Sequence, residues 1–298
     1  MGREATGETA VSLSKALHVA RTRAVRAAVA RKWVVFTLLS LLGASTVYPL
    51  VFMAFNSMRS TEEFGLNPYG LPQHFTLSNF SALLQQVPFL WSILHSLIVV
   101  VPAVVLATLS SALTAFVLTK TPVRIGKVLF FLMLGIMFMP GLVVVLPLDV
   151  EVAHVGLADN FLPAILVYTA INIPYGTYLL RSNFRSIPDS VVEAARVDGG
   201  SWARIFATVI LPIARPAVIT VGILTFLNIW NELFISIVLL NTPSTEMVTP
   251  TLAELSGHFV SDIPVLMAGT LLAALPTLLV YLVTARVFIR GMLSGAVR

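Results

Sequence analysis

SNFRSIPDSVVEAARVDGGSWARIFATVILPIARP, residues 182–216, is the stretch whose reading decides the fold. It lies between two long apolar runs, yet it carries four arginines, two aspartates and a glutamate. Local signals predict two short helices with a sharp break between them. Pro188 suits a first helical turn, and Asp189 and Glu193 favour the positive N-terminal end of a helix. Gly199 and Gly200 supply the left-handed residues that stop it. Ser201 can cap a second helix, on which Trp202, Ile205, Phe206 and Val209 share one face before Pro212 ends it. Residues 182–215 thus read as a compact hairpin, apolar on one side and standing outside the bilayer, shaped for docking.

The chain around the hairpin is built for lipid. Of its 298 residues 57% are hydrophobic and 11% charged, against roughly 25% charged in soluble domains. Cysteine is absent, which excludes a disulfide scaffold, a thiolate metal site and a cysteine nucleophile. The five histidines are scattered, and no HExxH or carboxylate pair suggests hydrolysis. His95 reads as a satisfied polar group rather than a ligand.

Six apolar runs predict an all-α, polytopic membrane protein. They cover about 33–58, 89–118, 128–148, 160–180, 216–240 and 263–285. Pro102 interrupts the second run, Pro140-Gly141 is expected to kink the third, and Pro174 with Gly176 the fourth. The first run continues too far past its basic start to be a cleaved signal core. Residues 1–32 form a basic tail, either an amphipathic helix on anionic lipid or a disordered segment. Residues 33–285 form the membrane domain, and 286–298 a C-terminal tail. The stretch 56–88 reads as an irregular external loop, 149–159 as a short acidic connection and 241–262 as a second external segment.

Charge orients this plan. Eighteen of the nineteen lysines and arginines fall on the side of the hairpin and only Arg59 on the other, which places both termini and the hairpin in the cytoplasm. The net charge of +5 is therefore mostly topology and gives no argument for nucleic acid.

The hairpin resembles the signature of the membrane-spanning subunits of ABC importers: EAA, three residues, G, nine residues, I, one residue, LP. Here Glu193, Ala194, Ala195, Gly199, Leu211 and Pro212 keep every spacing, with Val209 in place of the usual Ile. FRSIPDSVVEAARVDGGS and the closing GMLSGAVR are similar to carbohydrate permeases of the maltose-system type, and the resemblance covers about 33–298. It implies a type I importer permease fold with six membrane helices in a bacterial inner membrane. The implied partners are a second permease subunit forming a heterodimer, two ATP-binding cassette subunits and an extracytoplasmic solute-binding protein. The chain has no GxxxxGK[ST] phosphate loop, so ATP and Mg would be bound by the partner ATPase, with no cofactor and no catalytic residue in this chain.

On this resemblance Glu193, Ala194, Ala195, Asp198, Gly199, Leu211 and Pro212 couple to the ATPase. Glu193 would pair with an arginine of that partner; its other reading is a solvated carboxylate at a helix start. The fifth run carries Asn228, Trp230, Asn231 and Glu232 in LNIWNELF. Ionisable groups inside a membrane usually face a bundle interior or a water-filled path. An aromatic ring beside amides and a carboxylate also suits a sugar, whose apolar face stacks while its hydroxyls need donors and acceptors. Related sugar permeases have a similar W-N-acid sequence, which implies a place beside the translocation path; the alternative is polar glue between helices. Residues 241–262 either meet the solute-binding protein or simply connect two spans. Rival readings are import of another solute, such as glycerol phosphate, a polyamine or an amino acid, and an ATP-independent transporter or membrane enzyme. The last would need a reactive cluster within the spans, where only Glu232 qualifies.

Overall fold

A computed structural model describes residues 4–258 and 262–296, with side-chain surroundings for 29, 31–141, 143–257 and 262–285. Every regular element among the described residues is helical. The chain divides into two units, residues 1–55 and 56–298.

The first unit is essentially one helix, α1 (Glu4–Asn56). Its backbone runs unbroken through position 32, so the basic stretch and the first apolar run are one helix rather than a tail and a span. Within this unit Trp33, Phe36, Leu39 and Leu42 are exposed, an apolar surface suited to lipid.

The second unit begins with α2 (Thr61–Leu66) and α3 (Ser78–Gln86), followed by α4 (Phe89–Lys120), α5 (Gly126–Met137), α6 (Gly141–His154) and α7 (Phe161–Arg185). The hairpin comprises α8 (Asp189–Val197), α9 (Trp202–Ile205), a π turn (Phe206–Ile210) and α10 (Leu211–Ile213). Then come α11 (Arg215–Trp230), α12 (Phe234–Leu239), α13 (Val248–His258) and α14 (Ile263–Ala296). Three helical stretches among the described residues are long and apolar enough to cross a bilayer: Arg31–Asn56, Phe89–Lys120 and Ile263–Ala285. The bent pair Trp202–Ile213 and Arg215–Trp230, meeting at 83°, would make a fourth.

The prolines divide into two kinds. Pro102 and Pro174 sit inside α4 and α7, which continue through them. Pro140 instead separates α5 from α6, because it begins a new helix with extended backbone (ψ 126°). That second helix carries Asp149 and Glu151, so the expected acidic connection is helical as far as His154 and only Val155–Asn160 links it to α7.

At the centre, α4 and α7 pack along their lengths. Gly176 makes this possible: a Cβ there would lie 2.4 Å from the Ser111 hydroxyl, whose oxygen donates to the Ile173 carbonyl at 3.1 Å. Small residues on α4, Ala107, Ala112 and Ala115, are buried, as close helix approach in lipid requires. Around the pair, Phe226, Ile229, Trp230, Met247, Val248, Leu255, Val265 and Ala273 bring α11, α13 and α14 into one core.

The two segments expected to be external loops are more ordered than composition predicts. Residues 56–88 fold around Arg59, which is 1% exposed and uses all five of its N–H donors. Nε donates to Glu63 Oε1 (3.2 Å), Nη1 to Asn56 Oδ1 (2.9 Å) and the Gly70 carbonyl (3.0 Å), and Nη2 to the carbonyls of Glu63 (3.0 Å) and Asn67 (2.9 Å). Asn79 Nδ2 closes the arrangement by donating to the carbonyls of Ser57 and Arg59 at 2.8 and 2.7 Å. The expected irregular loop is thus a folded cap nucleated by one buried cation. Residues 241–262 likewise contain α13, whose Val248 amide donates to Ser96 Oγ (2.8 Å) and whose Thr251 hydroxyl donates to Ser92 Oγ (2.9 Å) on α4. His95 Nδ1 lies 3.1 Å from the Glu246 carbonyl, the satisfied polar group that its position suggests.

Candidate functional site

The hairpin forms as its residues dictate. Pro188 takes extended backbone (ψ 139°) and α8 starts at Asp189. Its end is a Schellman motif: Gly199 adopts φ +76°, its amide donates to the Arg196 carbonyl at 3.0 Å, and the Gly200 amide reaches the Ala195 carbonyl at 2.9 Å. Gly200 must lack a side chain, because a Cβ there would lie 2.6 Å from the Ala195 carbonyl oxygen. Ser201 then caps α9 through the Arg204 amide at 3.3 Å.

One expectation fails at the far end. Pro212 does not stop the helix; the chain widens into the π turn over Phe206–Ile210, passes through Pro212 and turns at Ala214. A proline has no amide, so the Thr208 carbonyl loses its helical donor. Just before Pro212, the Leu211 amide donates five residues back to the Phe206 carbonyl, the bond of the π turn. The 83° bend therefore falls between Ile213 and Arg215, where the hairpin meets α11.

The hairpin has a buried foot and an open top. Ile205 and Ile210 are buried with Val192, Ala112, Ala115, Phe116, Leu180 and Phe184, and Trp202, Phe206 and Val209 pack against this cluster. Phe116 on α4 meets the Phe206 ring at 5.3 Å and the Trp202 ring edge-on at 6.2 Å. Lys120, at the end of α4, donates to the Ile187 carbonyl at 2.5 Å and to Asp189 Oδ1 at 2.6 Å. A cation at a helix C-terminus, joined to a carboxylate in the first turn of α8, suits both dipoles. The hairpin is thus fastened to α4 and α7, so motion at its top is carried to both.

That top holds the signature residues. Glu193, Ala194, Asp198, Gly199 and Pro212 are exposed, Ala195 and Leu211 half-buried, and Val197 is 88% exposed. An open groove of about 560 Å3 runs beside α8, lined by Lys120, Asp189, Val192, Glu193, Arg196 and Trp202 among others. Arg196 lies over the Trp202 ring at 4.5 Å and stiffens one wall. Glu193 makes no ion pair among the described residues, and its carboxylate points into the open.

The second cluster divides. Trp230 is 3% exposed, stacked on Phe226 at 5.5 Å with Nε1 donating to the Ala273 carbonyl at 3.1 Å. It offers no free face to a sugar in this conformation. Glu232 accepts from Tyr168 Oη at 2.8 Å and from the amides of Phe234 (2.8 Å) and Ile235 (2.9 Å), which caps α12 and ties the break to α7. Asn228 and Asn231 are exposed, and Asn231 Nδ2 donates to the Leu227 carbonyl at 2.7 Å. The fifth run is therefore two helices joined at Asn231–Leu233. Such a break is tolerated at membrane depth where protein or a water-filled cavity surrounds it. Among the described residues no group of three or more His, Cys, Asp or Glu could hold a metal.

Arg59 and the acceptors round it are not among the residues that the sequence singles out, where Arg59 stands only as one positive charge on the side opposite the hairpin. Asn56, Glu63 and Asn79 nearby were the available signal.

A family model described as the binding-protein-dependent transport system inner membrane component matches residues 33–293. A diacetylchitobiose uptake system permease protein of Streptomyces coelicolor is 31% identical over 264 residues, covering 88% of this chain and 87% of that protein. A melibiose/raffinose/stachyose import permease protein of Bacillus subtilis is 27% identical over 283 residues, 95% of this chain and 100% of its own length. A crystal structure of a bacterial ABC transporter involved in import of the acidic polysaccharide alginate shares the fold, with a TM-score of 0.70 at 24% identity, over 84% of this chain and 93% of that one.

Proposed function

This chain belongs to the family of binding-protein-dependent transport system inner membrane components, and on that premise we propose that it is the permease subunit of an ATP-driven carbohydrate importer. It is a membrane transport subunit, not an enzyme. The cargo reading is supported by the relatives that import diacetylchitobiose and melibiose-type sugars, and by the absence of arginines within the six apolar runs, which suits a neutral ligand.

The observation that carries the reading is the two-sided hairpin: a foot buried against α4 and α7, and a top on which Glu193 and Ala194 stand open. In the proposed cycle a solute-binding protein delivers sugar from outside. Two ATPase subunits, which hold ATP and Mg, close against one another and carry along this hairpin and its counterpart on a second permease. Six spans, with both termini cytoplasmic, then switch the cavity between outward- and inward-facing, and hydrolysis resets it. Glu193 pairs with a partner arginine, Ala194 and Ala195 permit close approach, Asp198 and Gly199 form the turn, and Leu211 with Pro212 lead into the bend. Asn228 and Asn231 present donors and acceptors to the path, while Trp230 and Glu232 hold the broken span in shape.

Co-purification tests the assembly. An ATPase is expected to accompany the intact chain and to be lost when residues 193–212 are scrambled; an ATPase retained equally by both would sink the docking role.

A further inference from the structure

Beyond the coupling hairpin and the broken span, a cavity of about 610 Å3 lies where the end of α7 passes α5, lined by Phe130, Tyr178, Leu179, Arg181, Ser182 and Arg185. Its charge is unbalanced. Arg181 and Arg185 stand one helical turn apart on the same face of α7, and neither makes an ion pair among the described residues. The Arg181 guanidinium carbon lies over the Phe130 ring, 3.7 Å from its centroid, and this contact holds the guanidinium at the cavity. Its Nε is buried and has no hydrogen-bond partner among the described residues.

We propose that this cavity binds a phosphate group, presented by the headgroup of an anionic phospholipid. Two guanidinium forks match phosphate geometry, where one lysine would offer only a point charge. Ser182 and Tyr178 also line the cavity, and each carries a hydroxyl that can donate. The rest of the lining is Phe130 and Leu179, an apolar surface that suits the start of an acyl chain rather than a free ion. The position suits a headgroup too, provided α7 ends at a membrane face, which this inference takes from the topology. Since α7 leads through Ser186 and Pro188 into α8, a lipid held here bears on the foot of the hairpin.

The test reads lipid retention and not transport, so its failure would leave the permease reading untouched. The full-length protein, with the subunits that purify with it, is placed in nanodiscs of phosphatidylglycerol or of phosphatidylcholine and examined by native mass spectrometry after release. Retained phosphatidylglycerol is expected, with retention falling about tenfold in Arg185→Gln, the loss of one charge-assisted bond. Arg181→Gln is expected to do the same, and Arg124→Gln, whose side chain is exposed outside the cavity, to change nothing. Because Arg181 packs on Phe130 its variant can lose fold, so the exposed Arg185 carries the decision. Equal retention by wild type and Arg185→Gln would overturn the site. If millimolar inorganic phosphate alone displaces the lipid from the wild type, the lipid source is overturned in favour of a soluble phosphate compound.

Discussion

Glu193 and Glu232 are both carboxylates in the second half of an apolar chain, and their surroundings are opposite. Glu232 has Tyr168 and the first amides of α12 directed at its two oxygens. Glu193, on the hairpin, is exposed and makes no ion pair among the described residues. The difference separates two uses of charge in a membrane protein. A carboxylate whose acceptor sites are filled from within its own chain holds a fold that lipid would otherwise strain. One left open on an ordered, well-footed surface is available to another chain. Arg59 belongs with Glu232, since all five of its donors are taken.

The contrast breaks if the two kinds of residue respond alike to mutation. The largest effect is expected at Arg59→Ala, which leaves five acceptors around an empty, buried site; breaking a buried charge network costs about 3–5 kcal/mol. Folded yield in detergent, followed by size exclusion and thermal unfolding, should collapse. Glu232→Ala comes next, with about 3 kcal/mol from the uncapped amides of α12 and the stranded Tyr168 hydroxyl. Its melting temperature should fall sharply, while Trp230→Phe, which keeps an aromatic ring against Phe226 and loses the bond to the Ala273 carbonyl with part of the indole, should fall less.

Glu193→Lys sharpens the comparison from the other side. Uptake is expected to drop at least about thirtyfold, the loss of one interfacial charge pair with about 2 kcal/mol at stake, with melting temperature and abundance unchanged. An unfolded Glu193→Lys protein would put the residue among the structural carboxylates. Asn231→Ala is smaller again: a rise in the KM of uptake of about tenfold at unaltered stability. A loss of folded protein with unchanged KM would mark Asn231 as glue.

The smallest effect is a pH slope. Burial and the neighbouring Glu254 carboxylate push the Glu246 carboxyl up from 4.5 to about 7. A raised folded-state pKa contributes stability that is fully present below about pH 4.5 and lost as pH rises through 7. The half-buried position limits the change to about 1 kcal/mol. Glu246→Gln should flatten that part of the stability profile. Glu63 works in the opposite sense: the Gln73 amide, with Arg59 beside it, holds its carboxyl below the usual range. Its contribution is present above pH 4.5 and lost as pH falls below it.

How far the sequence could be read follows from the range of the forces involved. The hairpin was legible because its determinants are local: the stop at Gly199 and Gly200, the Ser201 cap and the apolar face from Trp202 to Val209 act within one or two turns. The fate of Trp230 was not, because whether an indole lines a path or a core depends on Ala273 and Phe226, and the former lies far along the chain. Proline gave a mixed signal for a related reason. Pro140 starts a new helix, whereas neighbouring helices support α4 and α7 through Pro102 and Pro174. In the loops, composition indicated polarity and turn residues, but not that Arg59 would gather carbonyls from residues 63, 67 and 70. The bend at Ala214 falls two residues past the expected stop, because the chain passes through a π turn and then Pro212 before it turns.

The measurement that bears most directly on the central claim is sugar uptake by the assembled complex in proteoliposomes, with and without enclosed ATP. It should be made for the native hairpin and for a chain in which residues 193–212 are scrambled. Uptake that requires ATP and disappears with the scrambled hairpin, although both chains reach the membrane in equal amount, is the predicted result. Uptake at the full rate without ATP, or undiminished through the scrambled chain, would contradict it.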